Sequence, residues 1–213
     1  MEPARADQRR ETGERTRARL RDAALDLLAE RGESGVTLRE ITDAAEANVA
    51  AVSYHFGSLQ SLCDAAIEHA LERYLDGQQE AISELGPGPT LEETAAAFAR
   101  PMLSALALGG SDLAVMRIVA RAGIDPPASW ERLGPRFDRI RRDVVRALKA
   151  NLPDVSEREL IFRTRCAAGL LNWLVFTTLP VSGLVRLPPG RHLGSVSAGP
   201  PAQNRATPAR LGG

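Results

Sequence analysis

The residues of this chain that could do covalent or metal chemistry are few and scattered. His55, His69 and His192, with Cys63 and Cys166, form no HExxH, no CxxC and no nucleophile elbow, so neither a zinc site nor a hydrolase triad has its usual spacing. The Gly-Pro-rich stretch GPGPT at 86–90 cannot cradle a phosphate, because its prolines remove backbone N–H donors. These patterns predict no metal, no cofactor and no enzymatic activity. What remains is recognition chemistry, concentrated in NVAAVSYHF at 48–56. Asn48 and Ser53 can hydrogen-bond base edges or phosphates. The small Ala50 and Ala51 would let a backbone approach a major-groove floor, where their methyls can meet thymine methyls.

Such a surface needs elements that hold it out. Leu20, Ala23, Ala24, Leu27 and Leu28 recur at helical spacing and predict a helix over about Thr12–Arg31, ended by Gly32. Thr37 with Glu40 is a capping box, and Val36 can staple onto Ile41, so a second helix starts at Thr37. Asn48 reads as the next N-cap, with a third helix from Val49 to about His55. The turn between them falls at Ala45-Glu46-Ala47. Three short helices at this spacing form a helix-turn-helix unit, with Leu38, Ile41, Ala45, Val52 and Phe56 facing inward. Ser58 caps a longer fourth helix running to about Leu75 or beyond.

The rest of the chain also reads as helical. Thr90 with Glu93 opens a helix ending near Gly109-Gly110, and Ser111 or Asp112 starts another to about Gly123. Trp130 is expected in a short segment, followed by a helix from Gly134-Pro135 to Asn151. Ser156 with Glu159 opens a last one through about Thr178. From Pro188 onward, 10 of 26 residues are Pro or Gly and none is acidic, which predicts a disordered tail.

Composition fits this reading. The 213 residues are 44% apolar and 25% charged with zero formal net charge, as in an ordinary globular protein. The two distant cysteines are expected as free buried thiols in a reducing cytoplasm. Residues 166–185 are uncharged for twenty positions, the length of a membrane span. Asn172, Thr177, Thr178, Ser182 and Pro180 dilute the run, and a helix buried against a partner helix is the expectation.

The stretch TLREITDAAEANVAAVSYHFGSLQSL resembles the helix-turn-helix of the TetR family of bacterial one-component repressors, and ARLRDAALDLLAERG resembles that family's first helix. The resemblance covers roughly residues 17–70. It implies an all-α protein: a DNA-binding head over 15–57, then a helical ligand-binding and dimerisation domain over 58–187. It further implies a homodimer bound to a double-stranded DNA operator and released by a small apolar or amphipathic effector. Thr37 would meet a phosphate. Asn48, Val49, Ala50, Ala51 and Ser53 would face bases, Tyr54 and His55 would face phosphates, and Phe56 would be core. With Arg39, the one cation between 37 and 62, these make the expected DNA-contact set.

Three departures stand against the family pattern. Glu46 occupies a turn position where the family usually has Gly, and Leu59 stands where a phosphate-contacting Lys is usual. Residues 37–62 carry a net charge of −2. Residues 1–21 hold seven Arg against four carboxylates, so a flexible Arg-rich arm over 1–14 could supply the missing attraction. The departures also leave open a second reading, a helical ligand-binding or interaction protein whose head has lost DNA affinity. In the second domain Met102, Leu106, Met116, Trp130, Phe137, Phe162 and Trp173 could line a ligand pocket, with ordinary core as the alternative. The family's last two helices pair across a two-fold axis; 166–185 resembles the first of them, and after Pro180 little chain remains for the second.

Overall fold

The computed structural model describes residues 3–177, and within them every regular element is helical. In chain order these are α1 (Pro3–Arg31), a single 3₁₀ turn (Glu33–Gly35), α2 (Leu38–Ala44), α3 (Val49–Phe56), α4 (Leu59–Ser83), α5 (Leu91–Leu108), α6 (Gly110–Ala122), α7 (Trp130–Asn151) and α8 (Glu157–Thr177). The tail from 188, and the chain after Pro180 that would hold a last helix, lie outside the described residues. The uncharged run 166–185 is described only as far as Thr177. Among the described residues no helix is long and apolar enough to cross a membrane.

Local signals set the helix starts. Thr37 and Thr90 each close a full capping box: their hydroxyls accept from the amides of Glu40 and Glu93, whose carboxylates accept the Thr amides in return. The box expected at Ser156 forms only by half. Its hydroxyl accepts from the Glu159 amide at 3.2 Å, but the Glu159 carboxylate turns to Arg163, whose Nε donates to it at 2.8 Å.

Two starts differ from expectation. α1 begins at Pro3, not Thr12, so the segment read as a flexible arm continues the first helix. Ala, Arg, Gln and Glu, all strong helix formers, make up most of it, and Pro is tolerated at a first helical position. The Thr12 hydroxyl donates back to the Gln8 carbonyl at 2.8 Å, and Arg15 pairs with Glu11 at 2.5 Å. α7 begins at Trp130, so Trp130 belongs to the long helix and Pro135 sits inside it. The first turn is held by tertiary partners: Trp130 stacks on Phe137 (4.7 Å), Phe137 stacks on Tyr74 of α4 (5.9 Å), and Arg132 pairs with Glu68 and Glu72.

The core is continuous from head to body. Leu20, Ala24, Leu25 and Leu28 of α1 are buried together with Ile41 and Val52 of the small helices and Leu62, Ala66, Leu71 and Leu75 of α4. α6 lies at the centre and packs on α1, α4, α5 and α8; Val115, Met116, Ile118 and Val119 are all buried. Pro101 inside α5 has no N–H for the Ala97 carbonyl one turn earlier, and Ala97 is only 1% exposed. The buried Gln78 of α4 fills that gap, its Nε2 donating to the Ala97 carbonyl at 3.3 Å. Gln78 Oε1 has no hydrogen-bond partner among the described residues. Cys63 is buried, and desolvation, reinforced by Glu33 and Asp64, pushes its thiol up to about 11. Cys166, expected to be buried, is exposed: it lies on the outward face of α8.

Candidate nucleic-acid interface

The link between α2 and α3 is a complete helix-stop motif. The Ala47 amide donates back to the Thr42 carbonyl at 2.9 Å and the Glu46 amide to the Asp43 carbonyl at 3.2 Å. This pairing requires the residue between, Glu46, to be left-handed, and its φ is +49°. Asn48 then caps α3, its Oδ1 accepting from the Ala51 amide at 2.8 Å. That bond occupies the Asn48 acceptor and leaves its NH₂ group available to a ligand.

α3 rests on the core through Val52, 1% exposed, and turns a different face outward. Val49 (49%) and Tyr54 (84%) are exposed, as are Asn48, Ala50 and Ser53. Ala51 is half-buried against the core and contributes only an edge to that face. Thr37 and Arg39 are exposed at the start of α2. His55 is half-buried: Tyr54 meets it edge-on at 4.8 Å, and Gly13 of α1 runs so close that a Cβ there would be 3.8 Å from His55 Cε1. Arg17 lies over the Phe56 ring at 5.6 Å. The Arg-rich half of α1 is thus laid alongside the C-terminal end of α3.

Three cations near this surface have carboxylate neighbours. Arg39 is 3.9 Å from Asp43, Arg17 is 3.9 Å from Glu14, and Arg31 is 2.6 Å from Glu40. Glu40 is the hub of α2: its other oxygen takes the Thr37 amide (3.0 Å) and hydroxyl (2.7 Å), and these bonds, with Arg31, hold its carboxyl below the usual range. Sequence reasoning missed Arg31 as an anchor, because nothing local distinguishes it from the other arginines of α1. Leu59 is half-buried and packed on the core, so it serves the fold where a lysine would face outward.

The residues expected to line a pocket are divided. Met102 and Met116 are buried in packed core, Leu106 packs at its edge, and Trp130 and Phe137 belong to the aromatic stack. Phe162 is corrected: it is 62% exposed, as is Trp173 at 61%, because both project from the outer face of α8. A cavity of about 470 Å³ does lie between α5, α7 and α8, walled by Phe98, Val144, Leu148, Leu160, Thr164 and Leu171. None of the six expected residues lines it. Among the described residues no group of His, Cys, Asp or Glu could hold a metal ion.

Comparison with known proteins agrees with this geometry. Residues 20–66 match the family described as "Bacterial regulatory proteins, tetR family", and residues 96–180 match "Tetracyclin repressor-like, C-terminal domain". Among solved structures, the chain resembles the ketosteroid transcriptional regulator KstR2 of Mycobacterium tuberculosis (17% identity over 76% of this chain and 90% of that chain, TM-score 0.55). It also resembles PfmR of Thermus thermophilus (18%, 74% and 83%, TM-score 0.53) and the hemolysin II regulator HlyIIR (18%, 78% and 90%, TM-score 0.51). At these identities the likeness is one of fold. No curated protein matches the sequence significantly. The capping box, the left-handed turn, the outward face of α3 and the two family matches together make this chain a member of the TetR family of bacterial regulatory proteins.

Proposed function

We propose that the chain is a sequence-specific, DNA-binding transcriptional regulator of the cytoplasm, acting as a homodimeric repressor that a small apolar or amphipathic ligand releases. The observation that carries this reading is the outward face of α3. Val49, Ala50, Ser53 and Tyr54 are exposed and uncharged on a helix fixed at both ends, by the Asn48 cap and by Gly57. Such a face can enter a major groove and read shape and methyl groups. Thr37, Tyr54 and His55 border it with groups able to meet phosphates.

Dimerisation would use α8, where Phe162, Leu170, Trp173 and Leu174 are exposed side chains that a monomer gains nothing by presenting. The effector would enter the cavity between α5, α7 and α8, whose walls are mostly aliphatic and aromatic. Ligand binding would favour a spacing of the two heads that no longer matches successive major grooves.

The test is selection from a random-sequence duplex library with the full-length protein, followed by anisotropy titration of the enriched duplex at two salt concentrations. Enrichment of a two-fold symmetric site, bound more weakly at higher salt, supports the reading. A second reading, a ligand-binding protein whose head no longer engages DNA, is favoured by the net charge of −2 over 37–62 and by Leu59. Failure to enrich any sequence, with no salt-dependent binding, would establish that alternative.

A further inference from the structure

Arg121 closes α6, half-buried, and its Nη1 donates to the carbonyl of Leu28 in α1 at 2.6 Å. That carbonyl already accepts from the Gly32 amide at 2.9 Å, so the guanidinium completes the C-terminal cap of α1. Its charge faces the negative end of that helix. Among the described residues no carboxylate lies within 4.0 Å of it. Gly32 leaves α1 at φ +74°, and a Cβ there would lie 3.2 Å from Arg121 Nη1. The end of α1 is therefore shaped to receive this side chain.

From that point bonds run on to the candidate DNA face. Arg31, in the last turn of α1, holds Glu40 of α2 at 2.6 Å, and Glu40 holds the amide and hydroxyl of Thr37. In the other direction α6 is buried against α4, α5 and α8, the helices of the body. Beside the guanidinium lies a cavity of about 430 Å³, walled by Leu28, Ile67, Ile118 and Ile124 and by two carboxylates, Glu33 of the 3₁₀ turn and Asp125, one turn beyond Arg121. The side chain thus has a second place to go, with carboxylates in its wall.

We propose that Arg121 is a positioning residue and a latch: docked on the end of α1 it holds that end against α6, and swung into the cavity toward Asp125 it loosens the end of α1 and the start of α2. Any shift of α6 produced in the body is passed to Thr37 through the end of α1, Arg31 and Glu40. The consequence for DNA rests on the function proposed above; the latch itself can be tested without DNA.

The experiment is amide hydrogen exchange, read by mass spectrometry, on the full-length protein and its Arg121→Met, Arg121→Lys and Asp125→Asn variants. Arg121→Met is expected to speed exchange about tenfold across residues 29–44 while α5 and α7 are unchanged, the size of effect one lost hydrogen bond produces. Arg121→Lys, which keeps a donor and a charge, should restore slow exchange, and Asp125→Asn, which removes the competing carboxylate on the side of α6 and leaves Glu33 in place, should slow it further. Unchanged exchange over 29–44 in Arg121→Met, or a rise spread evenly through α4–α7, would overturn the latch; the second result would mean ordinary packing. On the selected duplex, Arg121→Met should weaken binding about tenfold and Arg121→Lys much less. If no duplex is bound at all, the proposed function fails while the exchange data still decide the latch.

Discussion

Glu46 provides the sharpest measurement of how this head is built. The helix-stop motif between α2 and α3 places it at φ +49°, where a side chain with a Cβ is strained. The left-handed conformation costs an L-residue about 1–2 kcal/mol. Glycine removes that strain but loses about 0.4–1 kcal/mol through the greater freedom of its unfolded chain. Glu46→Gly and Glu46→Ala delete the same carboxylate, so comparing the two cancels the electrostatic change and leaves only the backbone. Gly should therefore exceed Ala in stability by about 0.5–1 kcal/mol, whereas inside a helix Ala would lead by a similar amount. For a chain of this size the difference corresponds to about 1–4 °C in thermal midpoint. Glu46→Asn should fall between them, since Asn tolerates this region. The assay is urea unfolding followed by circular dichroism, with equal m-values required of all three variants. If Ala proves as stable as Gly, the turn is not left-handed at Glu46, and the placement of α3 against α2 must be rebuilt. On the selected duplex all three neutral variants should bind more tightly than the parent at low salt and equally to one another.

Other expectations follow from particular contacts. Gln78→Leu should cost about 1–3 kcal/mol by leaving the Ala97 carbonyl buried and unpaired, and much less in a Pro101→Ala background where α5 supplies its own amide; a double-mutant cycle by urea unfolding measures this coupling. Burial, then the neighbouring Asp22 and Glu30, raise the Asp26 pKa above 3.8 in the folded state. Ionised Asp26 therefore lowers stability as pH rises through that window, so Asp26→Asn should raise the thermal midpoint at pH 7 and lose its advantage below pH 3.8. Replacing Glu11 and Glu14 by Gln should free Arg15 and Arg17, steepening the salt dependence of binding to the selected duplex without changing which sequence is selected.

The parts of this molecule that the sequence made legible are those fixed within one helical turn. The boxes at Thr37 and Thr90 and the caps at Asn48 and Ser58 need only residues three apart, and each forms as read. Glu46 was legible as a departure because the turn imposes a backbone angle that its side chain resists. The expectations that failed depend on distant partners. Trp130 joins α7 because Phe137, Tyr74, Glu68 and Glu72 hold it there, and no local signal carries those contacts. Phe162 and Cys166 are exposed because of how α8 is rotated against α5, α6 and α7, which apolarity alone cannot reveal. Likewise Met102 and Met116 fill core, while the cavity is walled by other apolar residues such as Phe98, Val144 and Leu148 that no local pattern singles out.

The charge arrangement separates reading from attraction in this head. The outward face of α3 carries methyl groups, a hydroxyl and a phenol, and Leu59 packs on the core. Four of the nearby cations are shared with a carboxylate: Arg39 with Asp43, Arg31 with Glu40, Arg15 with Glu11 and Arg17 with Glu14. Exposed pairs of this kind are worth at most about 1 kcal/mol, so a phosphate can displace any one of them. Each displacement, however, leaves an acid facing the duplex, so the net gain is smaller than the number of arginines suggests. Arg31 is the exception, because its carboxylate partner also organises Thr37. Using Arg31 on a phosphate would loosen the cap at the start of α2; holding Glu40 keeps that start in place. Arg31 is therefore more valuable as scaffold than as phosphate contact. Affinity in such a head has to come chiefly from shape, and shape depends on how firmly α1 to α3 are held against the body.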